Sequence, residues 1–138
     1  MSKLGIGIQG EVTIIQGGNI LLKEKNMITH TAALVILNAM SSVTTNRMID
    51  KISFIVDGVM KYKNISNIQL DYAEDSITYI TTLIATDFSG TITQMQLLMS
   101  SVNNNLALKQ GISIVKSNEL DIEIRWKIKL KVTTEPVK

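Results

Sequence analysis

The 138-residue chain has no cysteine, one proline, one histidine and one tryptophan, and aromatic residues make up only 4% of it. Each shortage excludes a class of chemistry. Without cysteine there are no thiolate zinc sites, redox dithiols or cysteine nucleophiles, and a single histidine cannot supply a site that needs two imidazoles. So few rings leave the core to aliphatic side chains, and the dispersed Phe54, Phe88, Tyr62, Tyr72, Tyr79 and Trp126 form no stacking platform by proximity in sequence. Charge is nearly balanced: 14 Lys and Arg against 12 Asp and Glu leave +2, which argues against a dedicated nucleic-acid binder. The longest apolar run, 32–37, is far short of the ~20 residues of a membrane span. The glycine-interrupted start offers no continuous apolar stretch of secretory type, so synthesis and retention in the cytoplasm are expected. A globular chain of roughly 150 residues buries about 68–70% of its extended surface, enough for one domain over 1–138 without disulfides or a structural metal.

What the chain has in quantity is branching at Cβ: 21 Ile, 9 Val and 13 Thr, together 43 residues. Such side chains are restricted at χ1 and suit a pleated surface better than a helix. Along 120–132 the alternation is unbroken, with Leu120, Ile122, Ile124, Trp126, Ile128, Leu130 and Val132 on one face. The other face carries Asp121, Glu123, Arg125, Lys127, Lys129 and Lys131, acidic at one end and basic at the other. A period of two identifies a strand, and each apolar side chain contributes ~1.5–3 kcal/mol when fully buried. An exposed edge of that length invites aggregation, so a central or subunit-paired place is expected. The charged face reads either as solvated surface or as a contact surface whose opposite ends pair head to tail with a neighbouring subunit.

Strands are also expected at 11–16 and 20–25, joined by Gly17-Gly18, and at 52–56 and 59–63, joined by Asp57-Gly58. Both dipeptides supply the positive φ of a two-residue hairpin. Further strands are expected at 76–88, at 91–99 and from Leu106 onward. Met95, Leu98, Met99 and Val102 sit at helical spacing, but Thr91-Ile92-Thr93 before them favours a strand. Only 29–40 breaks the β pattern. Thr29 suits N-capping, and Ala33, Ile36, Leu37 and Met40 recur at helical offsets, so a helix of about three turns is expected. It reads as lying over an edge or end of the sheet; the alternative is a partner-binding helix with an exposed apolar stripe. The expected fold class is mainly β: an antiparallel β-sandwich, immunoglobulin-like or related, with one short α-helix near 29–40.

Gly5-Ile6-Gly7-Ile8-Gln9-Gly10 satisfies G-x-G-x-x-G, but a dinucleotide site needs a preceding strand and a following helix, whereas strand-prone Glu11-Val12-Thr13-Ile14-Ile15 follows here. Residues 1–10 read instead as an N-terminal arm or edge strand, with Leu4, Ile6 and Ile8 on one face and glycines opposite that admit another backbone. His30 reads as a helix-start residue. Asp71, Glu74 and Asp75 lack the ligand spacing of a calcium loop and read as a solvated turn. Asn64-Ile65-Ser66 matches the glycosylation sequon without a secretory signal to expose it to the enzyme. With no metal set, phosphate cradle or carboxylate pair, neither catalysis nor a cofactor is expected. The candidate interface residues are Leu4, Ile6 and Ile8, with Asp121, Glu123, Arg125, Lys127, Lys129 and Lys131.

Two blocks add to this when taken in order. Residues 10–40 run strand, Gly-Gly turn, strand, then Lys25-Asn26-Met27-Ile28-Thr29 into an apolar segment. Later, Thr91-Ile92-Thr93-Gln94-Met95-Gln96-Leu97-Leu98 is followed by Asn104-Asn105-Leu106-Ala107, Ile114-Val115-Lys116-Ser117 and the Trp126-Lys127-Ile128 strand. Over about half the chain this resembles small structural proteins of tailed bacteriophages, although Gln94 and Gln96 stand where that group often has Glu and Gly, and Met99 replaces an aromatic. The resemblance implies a noncatalytic β-sandwich with a short helix, most like the tail-tip collar of long flexible-tailed phages. It implies a homo-oligomeric ring in the virion tail that contacts tube, baseplate or side-fibre proteins, made in the host cytoplasm and binding neither nucleic acid nor membrane. The alternatives are a head decoration or neck protein and, from another class, an intracellular nucleic-acid binder using Lys127, Lys129, Lys131 and Lys138.

Overall fold

Gly17 and Gly18, at φ 57° and 80°, turn β1 (Ser2–Gln16) back into β2 (Asn19–Ile28), and Asp57 and Gly58, at φ 49° and 80°, do the same between β3 (Lys51–Val56) and β4 (Val59–Asn64). Positive φ at both turn positions matches the twist of paired strands, so the two dipeptides form the hairpins expected of them. The other strands are β5 (Asn67–Asp71), β6 (Ser76–Leu83), β7 (Gly90–Met99), β8 (Asn104–Lys116) and β9 (Ile122–Pro136). This computed structural model describes residues 2–32, 34, 36, 37, 49–100 and 104–136, with side chains over 7–32, 34, 36, 37, 49–100 and 105–131.

All nine strands join one antiparallel sheet in the order β4-β3-β7-β8-β2-β1-β9-β6-β5, curled as a half-barrel. The mainly β class is as expected; the sheet is continuous because β2 serves both halves. It pairs with β1 from Gly10↔Asn26 to Gln16↔Asn19, then Met27 and Ile28 pair with Leu108 and Ala107 of β8. On the other side of the curl, the edge strands β4 and β5 are separated in sequence only by Ile65 and Ser66. The Ser66 N–H and hydroxyl both donate to the Ile80 carbonyl, at 2.9 and 3.1 Å, and the Thr81 hydroxyl donates to that of Asn64 at 2.7 Å. These bonds tie the link between the two edges to β6.

The core fills the concave side. β9 lies between β1 and β6, and Ile122, Ile124, Trp126 and Ile128 are all buried. The expected strand thus has its alternation and its central place, but its ends differ: Leu120 precedes the strand, and Leu120 and Leu130 are both exposed. Ile52, Phe54, Ile92, Met95 and Leu97 fill the other half, and Phe88 packs its ring 5.4 Å from that of Phe54. The segment with helical spacing is a strand, as expected. Its register shifts after Ile92 and after Leu97, and such an irregularity turns consecutive side chains to one side. Leu97, Leu98 and Met99 are all buried, which puts a helix-like period into a strand.

The strand expected over 76–88 stops at Leu83, because Asp87 Oδ2 accepts the Ile84 N–H at 2.9 Å and closes a turn. β5 has no counterpart among the expected strands: it is five residues long and exposed throughout, so no buried face marks it. Of the helix expected at 29–40, positions 33, 35 and 38–40 lie outside the described residues, and no complete helix is found among those that are described.

Candidate interaction site

β1 and β9 pair along their whole length, from Ser2↔Pro136 to Gln16↔Ile122. Their flanking partners stop sooner: β2 leaves β1 at Gly10, and β6 leaves β9 at Lys129. Among the described residues, Ser2 to Gly7 and Lys131 to Pro136 therefore pair only with each other, a two-stranded ribbon continuing past the rest of the sheet. The arm-or-edge expectation for residues 1–10 meets this arrangement: residues 2–9 form a strand with a neighbour on one side. Gly7 is exposed there, and a Cβ on it would meet only Lys131 atoms at 3.8 and 3.9 Å. Nothing among the described residues requires glycine at that position.

At the root of the ribbon is an apolar cavity of about 470 Å³. Ile8 of β1, Leu106 of β8, Ile128 and Leu130 of β9, Ile77 and Tyr79 of β6, and Leu70 and Tyr72 at the end of β5 line it. Asp71, Asp75 and Ser76 are its polar members, and no Lys, Arg or His lines it. The acidic residues belong to the β5–β6 turn, as expected: Asp71 Oδ1 accepts the N–H groups of Ala73 and Glu74 at 3.0 and 3.2 Å, and Asp75 takes φ 54°. Burial pushes the Tyr79 phenol up to about 12, so it remains a neutral donor at ordinary pH. Such a cavity accommodates an apolar group and favours one flanked by positive charge.

The sequence-selected charges lie on the convex side and are largely engaged within one protomer. Glu123 Oε2 accepts from Arg125 Nε at 2.8 Å, two residues along the same strand. Lys127 pairs with Glu74, which, against the opposing effect of desolvation, holds its ammonium above the ordinary range. Asp121 Oδ1 accepts the Ala85 N–H at 2.9 Å, outside β9. Lys129 and Lys131 are exposed. Lys129, Lys127 and Lys25 surround Glu11 and Gln9 at a second, shallower cavity of about 120 Å³. Leu4 and Ile6 pair by backbone with Thr134 and Val132 in the ribbon, and Ile8 is half-buried at the larger cavity. The two expected groups therefore separate: the ribbon and cavity on one hand, the charged convex face on the other.

Sequence reasoning had no signal for the cavity, since its lining joins residues of five strands to Tyr72 and to Ile36, which are brought together only by the fold. It also had none for Lys116, which is buried and donates to the Ser117 carbonyl at 2.6 Å. His30 is exposed. Among the described residues no three His, Cys, Asp or Glu side chains converge on a metal-sized space, and no helix is long and apolar enough to cross a membrane. Comparison with known proteins gives no match to a family, to a curated protein or to a solved structure.

Proposed function

We propose that the protein is a structural assembly module: a virion protein of a tailed bacteriophage that forms an oligomeric ring or collar at the tail tip and mounts tube, baseplate or fibre proteins. The observation that carries this reading is the ribbon of Ser2 to Gly7 and Lys131 to Pro136. A two-stranded ribbon alone is marginally stable in water, so one that outruns its sheet is stabilised by a partner. The apolar, acid-rimmed cavity at its root gives that partner a surface. In this reading the two halves of the curled sheet act as the layers of a β-sandwich of the immunoglobulin-like type.

Sedimentation of the full chain over a range of concentrations tests the proposal. A defined oligomer is expected, with assembly weakened when Gly7 is replaced by Val. A strictly monomeric protein that also yields no crosslinked partner from virions would refute it. Electron microscopy of labelled virions separates a tail-tip position from a head or neck one.

A further inference from the structure

The open sheet has two edges, and they are chemically opposite. Among the described residues, β4 has a neighbour only in β3, and β5 only in β6. Natural edges are blunted by proline, bulges or charge, because a bare one pairs with whatever strand it meets. Neither edge contains proline, β5 holds its single charge at its last residue, and the lysines of β4 disfavour any strand that brings no acid to them. β4 exposes Val59, Met60 and Tyr62, and β5 exposes Ile68 and Leu70, followed by Tyr72, which is 83% accessible. The charges on the two strands differ in sign. β4 carries Lys61 and Lys63, whereas β5 ends at Asp71, with Glu74 and Asp75 in the turn beyond.

Lys63 is already held by Asp87 at 2.7 Å, but Lys61 is exposed and has no ion pair among the described residues. Asp71 uses Oδ1 on two turn N–H groups, and Oδ2 accepts nothing among the described residues. Pairing β4 with a second β4 gives Lys61 and Lys63 no acidic residue to meet, and pairing β5 with a second β5 gives Asp71 no basic one. Like charges across a strand pair are destabilising and opposite charges favourable. Only the unlike combination satisfies both charge and apolar surface.

We propose that β4 of one copy pairs edge to edge with β5 of a second copy, with Lys61 facing the Asp71 and Asp75 end, where Glu74 is already held by Lys127. Main-chain hydrogen bonds supply the attachment, as in strand addition to any open edge, and the charges select the partner. Because each copy offers one edge of each kind, the contact is heterologous and propagates until it closes. The inference rests on the assembly reading above and names the surface by which copies meet.

Two measurements test it. In a mixture of light and nitrogen-15-labelled full-length protein, zero-length carbodiimide coupling should give mixed-isotope peptides joining Lys61 to Asp71 or Asp75. The charge reversals K61E and D71K should each raise the assembly midpoint concentration by about tenfold or more. Equimolar mixing of the two, or the double reversal in one chain, should restore assembly. K61E alters only an exposed side chain, so it stays informative if D71K disturbs the turn. A defined oligomer lacking those crosslinks and indifferent to K61E would overturn this inference while leaving the assembly reading intact. A monomer at every concentration would overturn both.

Discussion

The indole Nε1 of Trp126 donates to Asn26 Oδ1 at 3.0 Å, and Gly10 leaves the space in which that amide sits. Trp126 is completely buried on β9, Gly10 is on β1, and Asn26 is the last residue of β2 that pairs with β1. Asn26 Nδ2 also donates to the Met27 carbonyl at 2.9 Å. The amide thus satisfies the one polar atom of the largest core side chain at the point where β2 turns from β1 toward β8. The glycine that completes the G-x-G-x-x-G pattern has a packing role that has nothing to do with phosphate.

Gly10→Ala should therefore destabilise the fold although its φ is ordinary. The added Cβ would collide with Asn26 Oδ1, so the amide must move and the indole loses its acceptor. A buried unsatisfied donor costs about 1–3 kcal/mol. Denaturant titration should show that loss for Gly10→Ala and for Asn26→Ala. The double variant should cost less than the sum, because both remove the same bond.

Trp126→Ala removes the largest buried side chain from a site bounded by β1 and β6. A loss of about 3–5 kcal/mol is expected for a buried aromatic truncation. Thermal unfolding followed by far-ultraviolet circular dichroism would check it, and an unchanged midpoint would contradict the core placement.

Local patterns in the sequence carried local structure well. The alternation of Ile122, Ile124, Trp126 and Ile128 is the concave face of β9, and Gly17-Gly18 and Asp57-Gly58 are turns, because side-chain period and backbone φ are properties of adjacent residues. Pairing across distance left no such trace. That Ser2 meets Pro136, that β2 bridges to Leu108, and that Leu70, Ile8 and Leu106 share one cavity all follow from sheet order. The charge gradient of β9 was visible, but its partial neutralisation by Glu74 depends on the β5–β6 turn lying beside the strand. The edge β5 escaped notice for the same reason that makes it of interest: no face of it is buried.

The Lys63–Asp87 pair gives an acid-side prediction. Burial alone would raise the Asp87 carboxyl, but the Lys63 ammonium, the Ile84 N–H and the nearby Lys116 charge together hold it below its ordinary value of 3.8. A carboxylate with a depressed folded pKa stabilises the native state above its unfolded value and loses that contribution as pH falls through the folded one. Asp87→Asn should therefore lower stability at neutral pH by up to about 1 kcal/mol, the range of a largely solvated pair. The gap between variant and parent should close on acidification below pH 3.8, and denaturant midpoints measured from pH 7 to pH 2.5 would show it.

Tyr79 sets the alkaline limit. Its phenol is raised from 10.0 to about 12 by burial, so the folded chain holds a proton that the unfolded chain releases. Stability must then fall as pH rises above 10.0, and the decline continues to about 12. Tyr79→Phe keeps the ring against the cavity wall and removes the titrating group, so its stability should decline less over that interval. Absorbance at the phenolate band should show one tyrosine of the parent ionising only near pH 12 or on unfolding, and that step should be missing from the variant.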